Sequence, residues 1–236
     1  MVGREVSSPP VLLWRDMNTL NQDIILEWAY LFHWAERGHF VRAIKGRDLR
    51  LKGVEYNLPV LTRKKLLKRK RYQGRFIYAL PGQRGSDYRL IHGLMCTDAL
   101  VRFHLGKVGE YVSERDFRAR RFNPVPEFAV RYNGGDAVVL LFEYSTPDNF
   151  RRKKLIEKRL QLYKENLSKF REEFSAEPYV VWVIDAPEWE VEKFASEHDF
   201  NNFYFTDARQ FYSVPSGEQL SRAIYTWRGE KVNLYA

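Results

Sequence analysis

Two glutamates, Glu127 and Glu143, stand sixteen positions apart. Glu127 heads the short apolar run Phe128-Ala129-Val130, and Glu143 lies near the end of the longer run Val138 to Ser145. Between them, Asn133-Gly134-Gly135-Asp136 is a hairpin turn signal. A carboxylate near the end of a buried strand is costly unless something positive meets it. A divalent cation is one such partner. Two carboxylates converging on a sheet edge suit Mg²⁺, which prefers oxygen ligands and keeps several waters. An arginine is another partner. On that reading Glu143 forms a structural ion pair, and Glu127 caps a strand start in solvent.

The metal reading sets a geometric condition. Side chains alternate along a strand, so Glu143 and Ser145 share a face and Tyr144 takes the other. A plain two- or four-residue turn over Asn133 to Asp136 puts Glu127 opposite Phe142, on the wrong face. An odd loop, or a bulge at Gly134 or Gly135, brings both acids to one side.

A second candidate chemistry is cationic. Arg63-Lys64-Lys65-Leu66-Leu67-Lys68-Arg69-Lys70-Arg71 holds seven bases in nine positions, and Arg75 follows Gly74. Leu61, Leu66 and Leu67 would pack inward if this were a helix. A run this dense and one-signed fits polyanion contact, each base neutralising a phosphate and releasing counterions. The +9 net charge is concentrated there: residues 1–90 hold 18 Lys/Arg and 8 Asp/Glu, a balance of +10, leaving −1 for residues 91–236. That asymmetry predicts a basic module joined to a near-neutral one.

Several classes are disfavoured. The single Cys96 rules out an internal disulfide, reads as a small buried hydrophobe and fits a reducing compartment. No run reaches membrane-span length and Met1 to Pro10 has no apolar signal core, so a cytoplasmic location without membrane contact is expected. No Walker-type loop is present, so no nucleotide cofactor is expected. His33, His39, His92, His104 and His198 are too scattered for a recognisable metal motif.

The elements that must position these residues follow from periodicity. Ile24, Ile25, Trp28, Leu31, Phe32 and Ala35 predict a core-packed helix from Asn21 or Asp23 to Gly38. A basic helix over Leu61 to Arg71 and a strand over Arg75 to Leu80 complete the order of a winged helix. Gln83 to Asp87 reads as a link, dividing the chain into residues 1–85 and 86–236. Beyond it come a helix over His92 to Val101, a strand near Tyr111, the hairpin, and a long helix over Phe150 to Phe170 capped by Asp148 or Asn149. Its stripe of Ile156, Leu160, Tyr163, Leu167 and Phe170 extends back to Lys153, which would face the sheet. A buried strand, Pro178 to Ile184, is followed by a helix over Glu188 to His198 and a strand over Phe203 to Phe205. The fold class is α/β with a mixed sheet flanked by helices.

These pieces resemble a known family. His92, Ser113-Glu114-Arg115, Pro126-Glu127-Phe128-Ala129-Val130, Phe142-Glu143-Tyr144-Ser145-Thr146 and the helix with Lys158 and Tyr163 are similar in order to the PD-(D/E)XK nuclease-like fold over residues 90–185. The whole chain resembles the replication-relaxation proteins of plasmids and other mobile elements, which join a winged helix to such a domain. The resemblance implies that Glu127 and Glu143 are the metal-binding acids and that Glu114 supports them. Two departures stand out: Glu127 replaces the usual aspartate, and Ser145 replaces the usual lysine. A helix lysine would have to substitute; geometry favours Lys153, the family pattern Lys158.

Two functions follow. In the first, a DNA-binding protein of a plasmid, virus or mobile-element replication or transfer system cuts or nicks double-stranded DNA with Mg²⁺ or Mn²⁺. Glu114, Glu127, Glu143 and Lys153 would be the catalytic residues, and Arg63, Lys64, Lys65, Lys68, Arg69, Lys70, Arg71 and Arg75 the DNA contacts. In the second, the nuclease-like domain is a non-catalytic scaffold for homodimerisation or regulation.

Overall fold

The computed structural model describes residues 17–44, 51–83, 85–103, 108–132, 137–198, 201–213 and 225–226. Its first unit is helical: α1 (Met17–Leu31), β1 (Ala35–Glu36), α2 (Arg37–Ile44) and α3 (Leu51–Arg63), followed by the hairpin β2 (Lys68–Tyr72) and β3 (Arg75–Ala79). Ile25, Trp28, Ala29 and Phe32 are buried at helical spacing, which seats α1 on the core. The helix expected to run to Gly38 stops at Leu31. Ala35 belongs to β1, which pairs antiparallel with β3, and Gly38 lies inside α2.

The expected basic helix over Leu61 to Arg71 is not formed. Lys65 takes a left-handed backbone (φ 59°), and the N–H groups of Leu66 and Leu67 both reach back to the Leu61 carbonyl, ending α3. The remaining bases form β2, whose side chains alternate between two faces. Leu61 and Leu67 are buried as expected, but Leu66 is exposed. Gln73 and Gly74, both at positive φ, make the two-residue turn that twists in register with β2 and β3.

The rest of the chain builds a larger sheet, with strand order β4-β5-β6-β7-β8-β9 among the described residues. Its elements are α4 (Asp87–Phe103), β4 (Val108–Ser113), α5 (Glu114–Ala119), β5 (Phe128–Tyr132), β6 (Val138–Ser145), α6 (Pro147–Arg151), α7 (Lys153–Phe174), β7 (Glu177–Ile184), α8 (Glu188–Ser196), β8 (Phe203–Asp207), α9 (Ala208–Ser213) and β9 (Tyr225–Thr226). β4, β5 and β6 are antiparallel neighbours, while β6, β7 and β8 run parallel, joined by α7 and α8. This is an α/β fold with a mixed sheet flanked by helices.

Central β6 is buried along nearly its whole length because both faces are covered. On one face, Phe128, Val130, Leu140, Phe142, Val181 and Val183 pack with α1, α2, α4 and α9. On the other, Ala129, Val139, Leu141, Trp182 and Ile184 pack under α7 and α8 through Ile156, Leu160, Tyr163, Phe170 and Phe194. The helices before residue 86 therefore share one apolar core with α4 and the sheet, through Trp28 and Phe32 on one side and Phe103 and Phe142 on the other.

The long helix is interrupted. Thr146, not Asp148 or Asn149, caps α6: its hydroxyl accepts the Asn149 N–H at 3.4 Å, and Pro147 opens the helix. Arg152 then leaves helical geometry (φ −91°, ψ 56°) before α7 begins. That break overturns the placement of Lys153. It does not continue the α7 stripe toward the sheet but is exposed, with its ammonium 6.0 Å from the Phe150 ring centroid.

Candidate functional site

The two acids come to the same end of the sheet. Phe128 pairs with Phe142 and Tyr132 with Val138, leaving the odd five-residue connection 133–137 between the strands. The last paired position is Phe128 opposite Phe142, and beyond it the Glu127 N–H also donates to the Phe142 carbonyl, at 3.0 Å, so Glu127 stands past the regular ladder. Both acids nevertheless line one cleft, as the two-carboxylate reading requires. The conformation of 133–136, including any bulge at Gly134 or Gly135, lies outside the described residues.

What meets each acid differs. Glu143 is 3% exposed, and its Oε1 accepts from Arg159 Nε at 3.0 Å, from Arg159 Nη2 at 2.6 Å, and from the Tyr163 hydroxyl. Arg159 Nη2 also donates to the Val125 carbonyl at 2.6 Å, which locks the guanidinium across the strand ends. α7 supplies both partners: Arg159 and Tyr163 are four apart, on the flank of the stripe that carries Ile156 and Leu160. Burial raises the Glu143 pKa, the neighbouring Glu127 adds to this, and Arg159 works against it. Burial and Glu143 likewise hold the Tyr163 hydroxyl protonated, as a donor must be.

Glu127 has imidazoles instead. His92 Nε2 of α4 lies 3.3 Å from Glu127 Oε1, and His33 Nε2 lies 3.9 Å from Glu127 Oε2. Burial alone would raise the Glu127 pKa, but His92, His33 and Arg159 together lower it. The His92 pKa shifts upward: burial opposes its charge, and the contacts with Cys96 and Glu127 outweigh burial. Cys96, fully buried beside His92, is pushed up to about 12 by burial and stays a thiol at neutral pH. The solvent-strand-cap reading of Glu127 does not hold, since its side chain is 16% exposed and ringed by these partners.

Glu114, the first residue of α5, is brought to the same end of the sheet. Its Oε1 accepts from Arg118, and its Oε2 faces His33 Nε2 at 3.6 Å. Ser113 caps α5, exchanging hydrogen bonds with Asp116, and so fixes where Glu114 starts. Ser145, at the position of the usual lysine, is buried and accepts from Trp182 Nε1 at 2.8 Å. A cleft opens between these groups, lined by His92, Glu127, Glu143, Ser145, Asn149 and Arg159 among others. Neither Lys153 nor Lys158 lines it.

The cleft does not fit Mg²⁺ or Mn²⁺ held between Glu127 and Glu143. Glu143 Oε1 already takes a guanidinium and a phenol, so a cation there would have only the other carboxylate oxygen and would sit against the Arg159 charge. Arg159 supplies the positive charge that the buried acid requires. Arg159 was missed because the stripe was extended to Lys153, one turn before Ile156, when its flank three residues after Ile156 carried the cation. His92 enters the sequence reading only through the family resemblance, and His33 not at all as a site residue, because their convergence on Glu127 is tertiary and no spacing in the sequence announces it.

The second candidate surface is the hairpin. Arg63, Lys64, Lys65, Arg69, Lys70, Arg71 and Arg75 are exposed, and Lys68 is half-buried. Their contacts are light ones. Lys68 sits 4.8 Å from the Trp34 ring, and Arg69 lies 4.3 Å from the exposed Phe76 ring. Lys64 donates to Gln22, Lys70 to the Gly85 carbonyl, and Arg75 meets Glu36 at 3.2 Å. Burial and the neighbouring Lys70 lower the Lys68 pKa. Pairs this exposed hold their charges loosely and leave them able to meet phosphates. No described helix is long and apolar enough to cross a membrane. Compared with known proteins, the sequence matches no family model and no curated protein.

Proposed function

We propose that this chain binds double-stranded DNA through the β2–β3 hairpin and α3, and that its larger sheet is a PD-(D/E)XK-like domain working as a non-catalytic scaffold. The observation that carries the second half is the Arg159–Glu143–Tyr163 cluster, which occupies the second acid of the nuclease pattern. Ser145 in the lysine position, tied to Trp182, points the same way. The order α1-β1-α2-α3-β2-β3, with β1 pairing to β3, is that of a winged helix and supports the first half. In that arrangement α3 would enter the major groove and the hairpin would touch phosphates. Residues 1–85 and 86–236 would then divide the work even though they share a core. A replication or transfer system of a plasmid, virus or mobile element, in the cytoplasm, and a homodimer built on the sheet domain belong to this reading.

The test is fluorescence anisotropy with a labelled DNA duplex across about 50 mM to about 200 mM salt. Binding should weaken steeply with salt and be lost when Arg69 and Arg71 are both changed to Glu. Equal affinity in that variant would overturn the reading.

A second reading, metal-dependent nicking, is favoured by one observation: Glu127 and Glu143 line the same cleft, as a two-acid site needs. It requires Arg159 to leave Glu143.

A further inference from the structure

We propose that His33, Glu114 and Glu127 form a binding site for a divalent transition metal, with Zn²⁺ or Co²⁺ the fitting class, and that this ion clips the turn after α1 to the end of the sheet. The proposal does not depend on DNA binding, and its ligand set leaves out Glu143.

The geometry is the first argument. His33 Nε2 faces two carboxylate oxygens, at 3.6 Å from Glu114 Oε2 and 3.9 Å from Glu127 Oε2. All three ligand atoms lie within 4.8 Å of one another. Both His33 contacts are too long for hydrogen bonds. Ligands held about 2.0–2.2 Å from a tetrahedral ion sit roughly 3.4 Å apart, so the two His33 contacts need shorten by only a few tenths of an ångström, and the two carboxylates would close in on the ion from within 4.8 Å. One imidazole with two carboxylates, all partly exposed to solvent, suits a borderline cation better than Mg²⁺.

The surroundings orient the ligands. Arg118 holds Glu114 Oε1, leaving Oε2 to face inward. His92 holds Glu127 Oε1, leaving Oε2 toward His33. Such contacts behind a ligand typically fix its direction in metal sites. Position 93 must also be glycine for the approach: a Cβ there would come within 2.9 Å of the His33 Cβ. The three ligands come from the α1–β1 turn, the start of α5 and the start of β5, three points far apart in sequence.

A competing set, His92, Cys96 and Glu127, also clusters. It is the poorer site, because Cys96 is 1% exposed and a thiolate there would be stripped of water.

The test is Co²⁺ titration of the full chain, free of any histidine tag, followed by visible absorption, with Zn²⁺ competition. The expected result is one saturable ion per chain, displaced by Zn²⁺, with no sulfur-to-cobalt charge-transfer band. Affinity should fall by about tenfold or more in His33→Ala and in Glu114→Gln, and Cys96→Ala should bind like the parent. Glu114→Gln keeps the side-chain volume at a partly exposed helix start, so it decides the matter if His33→Ala does not fold by circular dichroism. No saturable binding, undiminished binding in Glu114→Gln, or a charge-transfer band that vanishes in Cys96→Ala would each overturn the assignment.

Discussion

The cations at the sheet end and those on the hairpin obey opposite rules. Arg159 reaches from α7 and gives two hydrogen bonds to one buried carboxylate oxygen and a third to the Val125 carbonyl in the segment before β5. Arg69, Arg71 and Arg75 stand exposed, Arg69 over an aromatic face and Arg75 beside a surface acid. A buried charge in low dielectric must be matched within the protein, so its partner is committed. An exposed one keeps its water and remains available to an outside anion. The same residue type is structure in one place and a binding surface in the other, and burial decides which.

The largest expected effect breaks the committed pair. Removing one partner of a buried ion pair costs about 3–5 kcal/mol. Arg159 is 37% exposed and therefore partly screened, so Arg159→Ala should cost about 3 kcal/mol, the lower end of that range. Urea denaturation would measure this, and a loss below about 1 kcal/mol, the level of surface pairs, would erase the contrast with the hairpin.

How much of this contrast was legible in the sequence depends on which distances set each feature. The β5–β6 hairpin and its odd loop follow from local alternation and a glycine turn, and an arginine partner for Glu143 was one of two chemical options. The identity of that arginine was not legible, because Arg159 lies beside the apolar stripe of α7 and reaches Glu143 from its flank, where periodicity marks no inward position. The basic run was legible as charge but not as a strand: four consecutive bases, Lys68 to Arg71, hide the alternation that would distinguish β2 from a helix face. His33 reaches Glu127 only through packing between α1 and α4, which no periodicity reports.

The next effect sharpens the other side. Arg69→Ala with Arg71→Ala should leave the urea midpoint unchanged and lower DNA affinity, reducing the logarithmic salt slope by about 2, roughly one per cation removed. Filter binding across a salt series would check it; an unchanged slope would show that these charges do not meet phosphates.

A smaller effect separates the regions by pH. His92 has a raised pKa, so its pairing contributes stability fully present below the ordinary histidine value of about 6.5 and lost as pH rises through the raised one. Glu127 has a lowered pKa, so its contribution is present above the ordinary carboxylate value of about 4.3 and lost as pH falls through the lowered one. Thermal melts should decline on the alkaline side of about pH 6.5, and His92→Gln should flatten that limb. Hairpin variants should retain the parent profile; if they flatten it too, the two regions are not independent. Smallest of all, Lys153→Ala should change neither melting temperature nor DNA binding, since Lys153 lies outside the cleft.

The central claim is that Arg159 and Tyr163 hold Glu143 away from metal chemistry while the hairpin grips DNA. It is tested most directly by incubating supercoiled plasmid with the protein and Mg²⁺ or Mn²⁺ at low salt, beside Glu143→Ala. The account predicts retarded but intact plasmid in both samples. Nicked or linear DNA with the parent chain and none with Glu143→Ala would contradict it.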